Sequence, residues 1–102
     1  MDVQHVPVLL AETLELVAVR PGGFWVDGTV GLGGHAAAVL RASSPDGRLL
    51  GLDRDGETLA RARERLAEFG ERARLEQGDY REIPERLGDE RADGILLDLG
   101  VS

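Results

Sequence analysis

The chain has 102 residues, a formal net charge of −7 and no cysteine. That length suits one small domain, or part of a larger protein. With 42% hydrophobic and 30% charged residues, the composition is that of a globular chain rather than a disordered one. The lack of cysteine excludes a disulfide framework, cysteine-ligated zinc and thiol catalysis. No apolar run approaches the ~18 residues of a membrane span, and Met1-Asp2-Val3-Gln4-His5 lacks the basic start of a signal peptide. The expectation is therefore a cytoplasmic protein with no membrane partner. All twelve cations are arginine, and an acidic balance is a poor electrostatic match for a polyphosphate.

In chain order, Pro7 suits a helix entry, and Leu10, Leu14 and Val17 share one face of a short helix. Arg20-Pro21-Gly22-Gly23 is a turn. Phe24 to Asp27 is an apolar run that predicts a first strand, buried on both faces. Four glycines follow it, Gly28, Gly31, Gly33 and Gly34. A helix opens at Gly34 or His35 and continues to about Ala42. Ser43 to Gly47 is a loop. Leu49 to Leu52 predicts a second strand, ending in Asp53. Asp55 caps a second helix, whose buried face carries Leu59, Ala62, Leu66 and Phe69, with Gly70 at its C-terminal cap. Arg74 to Gln77 is a weaker strand, leading to Gly78-Asp79-Tyr80 and a short helix over Arg81 to Leu87. Gly94 to Leu97 is the fourth strand, ending in Asp98.

Strands alternating with helices imply an α/β domain: a partial parallel sheet of about four strands with flanking helices and right-handed crossovers. Ligands bind beyond the carboxyl ends of such strands. Asp27, Asp53, Asp79 and Asp98 all fall at or near those ends. A parallel sheet that stops on a strand, with no helix after it, reads as a truncated protein.

A glycine loop after the first strand is either a tight turn or a place where backbone approaches a ligand. Asp53, at the next strand end, is placed to accept hydrogen bonds from ribose hydroxyls. Nicotinamide dinucleotides and S-adenosylmethionine both suit a glycine loop with an acid. Asp27 would repel a pyrophosphate and attract a sulfonium and an α-ammonium, so the charge pattern favours S-adenosylmethionine. The other reading of Asp27 and Asp98, the lesser of the two, is that they cap loops. Tyr80 is either a cover for an adenine face or a core tyrosine. Asp79 is either an acceptor for an adenine amino group or the cap of the next helix. His35 has no acid partner nearby in sequence, so a catalytic role does not follow from spacing. His35 and His5 do not make a metal site.

These residues closely resemble the ribosomal small-subunit methyltransferase H family. The matching stretches are His5-Val6-Pro7-Val8-Leu9, Val26-Asp27-Gly28-Thr29 continuing to Gly33-Gly34-His35, Leu52-Asp53-Arg54-Asp55, and Gly94 to Ser102. The resemblance implies a Rossmann-like class I methyltransferase core that uses S-adenosyl-L-methionine to methylate N4 of a cytidine in 16S rRNA, at the decoding centre. It carries cofactor contacts over to Gly33, Gly34, His35, Asp53, Tyr80 and Asp98, and it leaves the catalytic acceptor unassigned. Residues 1–102 would be the incomplete S-adenosylmethionine-binding domain of a longer protein. The remaining strands and an inserted helical RNA-binding domain would lie outside it. The partner implied is 16S rRNA or the small ribosomal subunit. Two other readings stand beside this one: a non-catalytic nucleotide-binding module, and a nicotinamide-binding oxidoreductase domain.

Overall fold

The computed structural model describes residues 19–97. The expected N-terminal helix, His5 and Asp98 lie outside the described residues. Within them the elements run β1 (Phe24–Asp27), α1 (Gly34–Ala42), β2 (Arg48–Asp53), α2 (Gly56–Arg65), β3 (Ala73–Gln77), α3 (Ile83–Leu87) and β4 (Gly94–Leu96). All strand pairs are parallel, and the order across the sheet is β3-β2-β1-β4. This is the partial parallel sheet that the alternation of strands and helices implies.

The handedness of the crossovers decides which face each helix covers. The chain steps from β1 to β2 to β3 in one direction, so right-handed crossovers put α1 and α2 on the same face. It then returns past β1 to form β4, which puts α3 on the other face. Side chains along β1 and β2 sort accordingly. Trp25 and Leu49 join Val39, Leu40, Leu59, Ala62 and Leu66 beneath α1 and α2. Phe24, Val26, Leu50 and Leu52 join Ile83 beneath α3. Each fully buried leucine contributes about 1.5–3 kcal/mol through the water it sheds. The indole of Trp25 is wholly buried, and it requires Gly23 beside it: a Cβ at Gly23 would lie 2.0 Å from the ring.

Two elements differ from the expected ones. The second helix ends at Arg65 instead of reaching Phe69, and the chain continues as 3-10 turns over Ala67–Arg72. Helices often tighten in this way where their last carbonyls lose α-helical partners. Here Leu66 stays buried, and Phe69 lies under the guanidiniums of Arg41 and Arg72. Gly70 does take a positive φ of 59°, but its ψ of −134° is that of a turn linking two 3-10 segments and not of a helix cap. The short helix after β3 is likewise divided, with a 3-10 turn at Tyr80–Glu82 before α3.

Candidate functional site

The strand order reverses between β1 and β4. In open parallel sheets, ligands bind in the crevice beyond the carboxyl ends of the strands at such a switch point. The β1–α1 loop forms one wall. It rises from Asp27, which is 3% exposed and accepts from the Thr29 N–H at 3.1 Å. That bond matches the loop-cap reading of Asp27. The Val30 N–H donates to the Leu52 carbonyl at 2.8 Å, tying the loop to β2. Gly31 (φ 55°) and Gly33 (φ 90°) then take left-handed conformations that L side chains rarely adopt. They turn the chain straight into α1. The helix begins without a side-chain cap and without an acidic residue in its first turn. Its leading backbone donors, from Gly34 and the half-buried His35 onward, therefore face the rim with partial positive charge.

Asp53 ends β2 and reaches across to this loop. Its Oδ2 accepts from the Gly31 N–H and its Oδ1 from the Asp55 N–H, both at 2.9 Å. A carboxylate offers about four lone-pair directions, so two bonds leave acceptor capacity on each oxygen. Asp55 does what its sequence position suggests: it caps α2, accepting from the Glu57 N–H and the Thr58 hydroxyl. Its bond with Thr58 holds its carboxyl below the usual range.

The β3–α3 turn forms the opposite wall. Tyr80 is 36% exposed, so it is a rim residue and not a core tyrosine. It stands close to Gly28, where a Cβ would lie 2.8 Å from Tyr80 Cβ and 2.5 Å from Leu97 Cδ2. Gly28 is thus the point where the loops after β1, β3 and β4 crowd together. Asp79 resolves as a cap. Its side chain accepts from the Arg81 N–H at 2.8 Å, while the Asp79 N–H donates to Glu82 Oε2 at 2.9 Å. Arg81 also grips the carboxylate with two bonds at 3.0 Å, and Arg54 lies 3.7 Å away. These contacts, that of Arg81 first, pull the Asp79 carboxyl down to about 2.

The structure thus brings Gly33, Gly34, His35, Asp53 and Tyr80 to the carboxyl edge of one sheet. Asp98 lies outside the described residues. Glu82 and Arg86 were missed in the sequence. A signal for Glu82 was present, because Asp79-x-x-Glu82 is the spacing of a capping box. Among the described residues, no group of three or more histidine or acidic side chains is arranged to hold a metal ion, and no helix is long and apolar enough to cross a membrane.

Comparison with known proteins supplies independent findings. The MraW methylase family model matches residues 2–102. The chain is 54% identical to the ribosomal RNA small subunit methyltransferase H of Symbiobacterium thermophilum, over 100% of this chain and 33% of that protein. It is also 54% identical to the protein of the same name from Syntrophobacter fumaroxidans, over 97% of this chain and 32% of that one. The chain therefore spans about a third of the length of these relatives. Among solved structures, a protein-L-isoaspartate O-methyltransferase superposes with a TM-score of 0.79 at 24% identity, covering 93% of this chain and 30% of that one. A SAM-dependent O-methyltransferase from Thermotoga maritima superposes with a TM-score of 0.70 at 23% identity, covering 89% and 34%. At these identities the structural likeness shows the fold, which is that of Rossmann-like methyltransferases.

Proposed function

The chain belongs to the MraW methylase family, and from that membership we propose that it is the cofactor-binding part of an S-adenosylmethionine-dependent enzyme that methylates N4 of a cytidine in 16S rRNA. The remaining strands and an RNA-holding helical domain belong to the rest of the protein. The enzyme meets its substrate, 16S rRNA or the small ribosomal subunit, in the cytoplasm.

One observation carries the assignment beyond membership. Asp53 stands at the end of β2 with each carboxylate oxygen bonded once, to Gly31 and to Asp55, and with acceptor capacity to spare. A vicinal diol is the group that a two-oxygen acceptor suits best. The flanking groups fit the rest of the cofactor. Backbone donors at Gly34 and His35 suit a carboxylate, and Gly33, whose own N–H is held by the Val30 carbonyl at 2.9 Å, shapes the turn that presents them. The exposed ring of Tyr80 suits an adenine face. Asp98 completes the set after β4. Buried Asp27 at the strand end disfavours the pyrophosphate of a nicotinamide dinucleotide.

The bound cofactor supplies an electrophilic methyl group on a sulfonium. The task left to the protein is alignment. The lone pair of cytosine N4 is delocalised into the ring, so the base must be held in line with the methyl and must lose a proton as it reacts. A base in structured RNA must also leave its stack. The chain's acidic balance leaves most phosphate contacts to the rest of the protein. Residues 1–102 alone should bind rRNA weakly and transfer no methyl group.

Calorimetry on a full-length protein carrying this segment tests the reading. Heat with S-adenosylhomocysteine and none with NAD is expected. Binding of NAD alone would replace the reading with the oxidoreductase one. Binding of S-adenosylhomocysteine without methyl transfer to small-subunit RNA would favour the non-catalytic module.

A further inference from the structure

The turn that carries Tyr80 is braced from behind by a side chain seated on α3. Arg86 spreads its guanidinium over the end of β3. Its Nη1 donates to Glu76 Oε1 at 2.7 Å, and its Nη2 donates to the Gln77 carbonyl and to Glu82 Oε1, both at 2.9 Å. Glu82 carries the constraint forward, since its Oε2 accepts from the Asp79 N–H at 2.9 Å. Gly78 lies against the guanidinium: a Cβ there would stand 2.8 Å from Arg86 Nη2 and 3.2 Å from Glu82 Oε1. One cation thus joins the strand end, the turn and the helix. The planar fork of a guanidinium holds three acceptors in fixed directions, and an ammonium does not.

Stability alone accounts poorly for this arrangement. The Arg86 side chain is 30% exposed and that of Glu82 39%, and ion pairs so placed add little to folding. What the bonds do fix is position. Asp79 and Glu82 flank Tyr80 along the chain, and Gly28 lies against the root of the Tyr80 side chain, where a Cβ would stand 2.8 Å from Tyr80 Cβ. The acceptors also favour the bonded state electrically. Arg86 lowers the carboxyl of Glu76 and contributes to lowering that of Glu82, whose first cause is the Asp79 N–H.

We propose that Arg86 is a positioning residue for the adenine end of the cofactor site, acting through Glu82 to hold the Tyr80 ring where it covers the base. The inference rests on the cofactor reading given above. Its consequence falls on binding, because Arg86 acts on how the cofactor is held and not on the methyl group. Loosening the turn raises the KM for the cofactor and changes kcat little.

The test uses the full-length protein, with Arg86→Met and Glu82→Ala made separately and in a Tyr80→Ala background. Glu82→Ala cuts the link to Asp79 while leaving Arg86 bonded to Glu76 and Gln77, so it carries the test if Arg86→Met fails to fold. In the Tyr80 background each substitution should weaken S-adenosylhomocysteine binding by about tenfold. With Tyr80→Ala already present, the same substitutions should change Kd by less than about twofold, because the group they position is gone. Arg86→Lys should recover part of the affinity. A purely structural Arg86 would lower the melting temperature and leave the Kd of the folded protein alone, and that result would overturn the proposal. An equal loss with and without Tyr80 would also overturn it. If the unaltered protein binds no S-adenosylhomocysteine, the methyltransferase reading falls as well. If binding is present and depends on Asp53 but not on Arg86, only the positioning role is lost.

Discussion

At the β1 end of the rim, main chain is held mostly by main chain. Val30 bonds to β2, Gly31 and Gly33 supply the left-handed turns, and the side-chain carboxylate of Asp53, from β2, grips a backbone N–H. At the β3 end, charged side chains hold the turn: Asp79 with Arg81 and Arg54, and Arg86 with Glu82 and Glu76. The first wall is suited to presenting bare backbone to a ligand, which requires small residues and leaves little room for side-chain bracing. The second wall presents a side chain, Tyr80, and a side chain needs its backbone fixed from outside. The two walls should therefore fail under different perturbations.

The largest effect is expected where the walls meet. Gly28→Val would drive a side chain into Leu97 and Tyr80. It should cost about 3 kcal/mol in denaturant unfolding. It should also weaken S-adenosylhomocysteine binding by more than about a hundredfold. Near-normal binding would show that the crevice lies elsewhere.

Asp53→Ala should disturb the glycine-loop wall alone. Loss of the proposed ribose acceptor and of the Gly31 bond predicts a roughly thirtyfold weaker Kd. Hydrogen exchange should quicken at Gly31 and stay unchanged at Arg81. Faster exchange at both would erase the distinction between the walls.

Acid should act on the β3 wall. Asp79 titrates at about 2 in the folded chain against an ordinary 3.8. Below both values the two states bind the same proton, and between them the unfolded state binds more. The stabilisation is thus complete above about pH 4 and is lost as pH falls toward 2. The melting temperature should decline over that window. Arg81→Ala removes the main cause of the shift, so it should flatten Asp79's part of the decline. The smallest effect is that of salt. Raising ionic strength to about 1 M shortens the screening length to about 3 Å. It should weaken cofactor affinity by no more than about twofold, because exposed ion pairs contribute little. A salt effect larger than that of Asp53→Ala would make charge, not backbone, the main support of the site.

Much of the frame was legible because its determinants are local. Phe24 to Asp27 and Leu49 to Asp53 are apolar runs closed by an acid, and Asp55 stands directly before a helix-patterned segment. The end of α2 was not legible. Leu66 and Phe69 keep helical spacing in sequence, yet Phe69 instead packs with the nearby Arg72 and with Arg41, which comes from the end of α1. Tyr80 could not be divided between core and rim from sequence, since its exposure depends on how β3 sits against Gly28. The bracing by Arg86 was hidden for the same reason. In the sequence it is one arginine among twelve, and only the placement of α3 behind the β3 end turns it toward Gly78.

The contact between Gly78 and Arg86 also bears on how such sequences diverge. The space that a side chain at position 78 would need is taken by a cation eight residues further on. An alanine at 78 would displace the tip of the arginine from its bonds with Gln77 and Glu82. It should therefore weaken the brace, and a chain that has lost the arginine should lose that reason for glycine. Among relatives, these two positions should change as a pair.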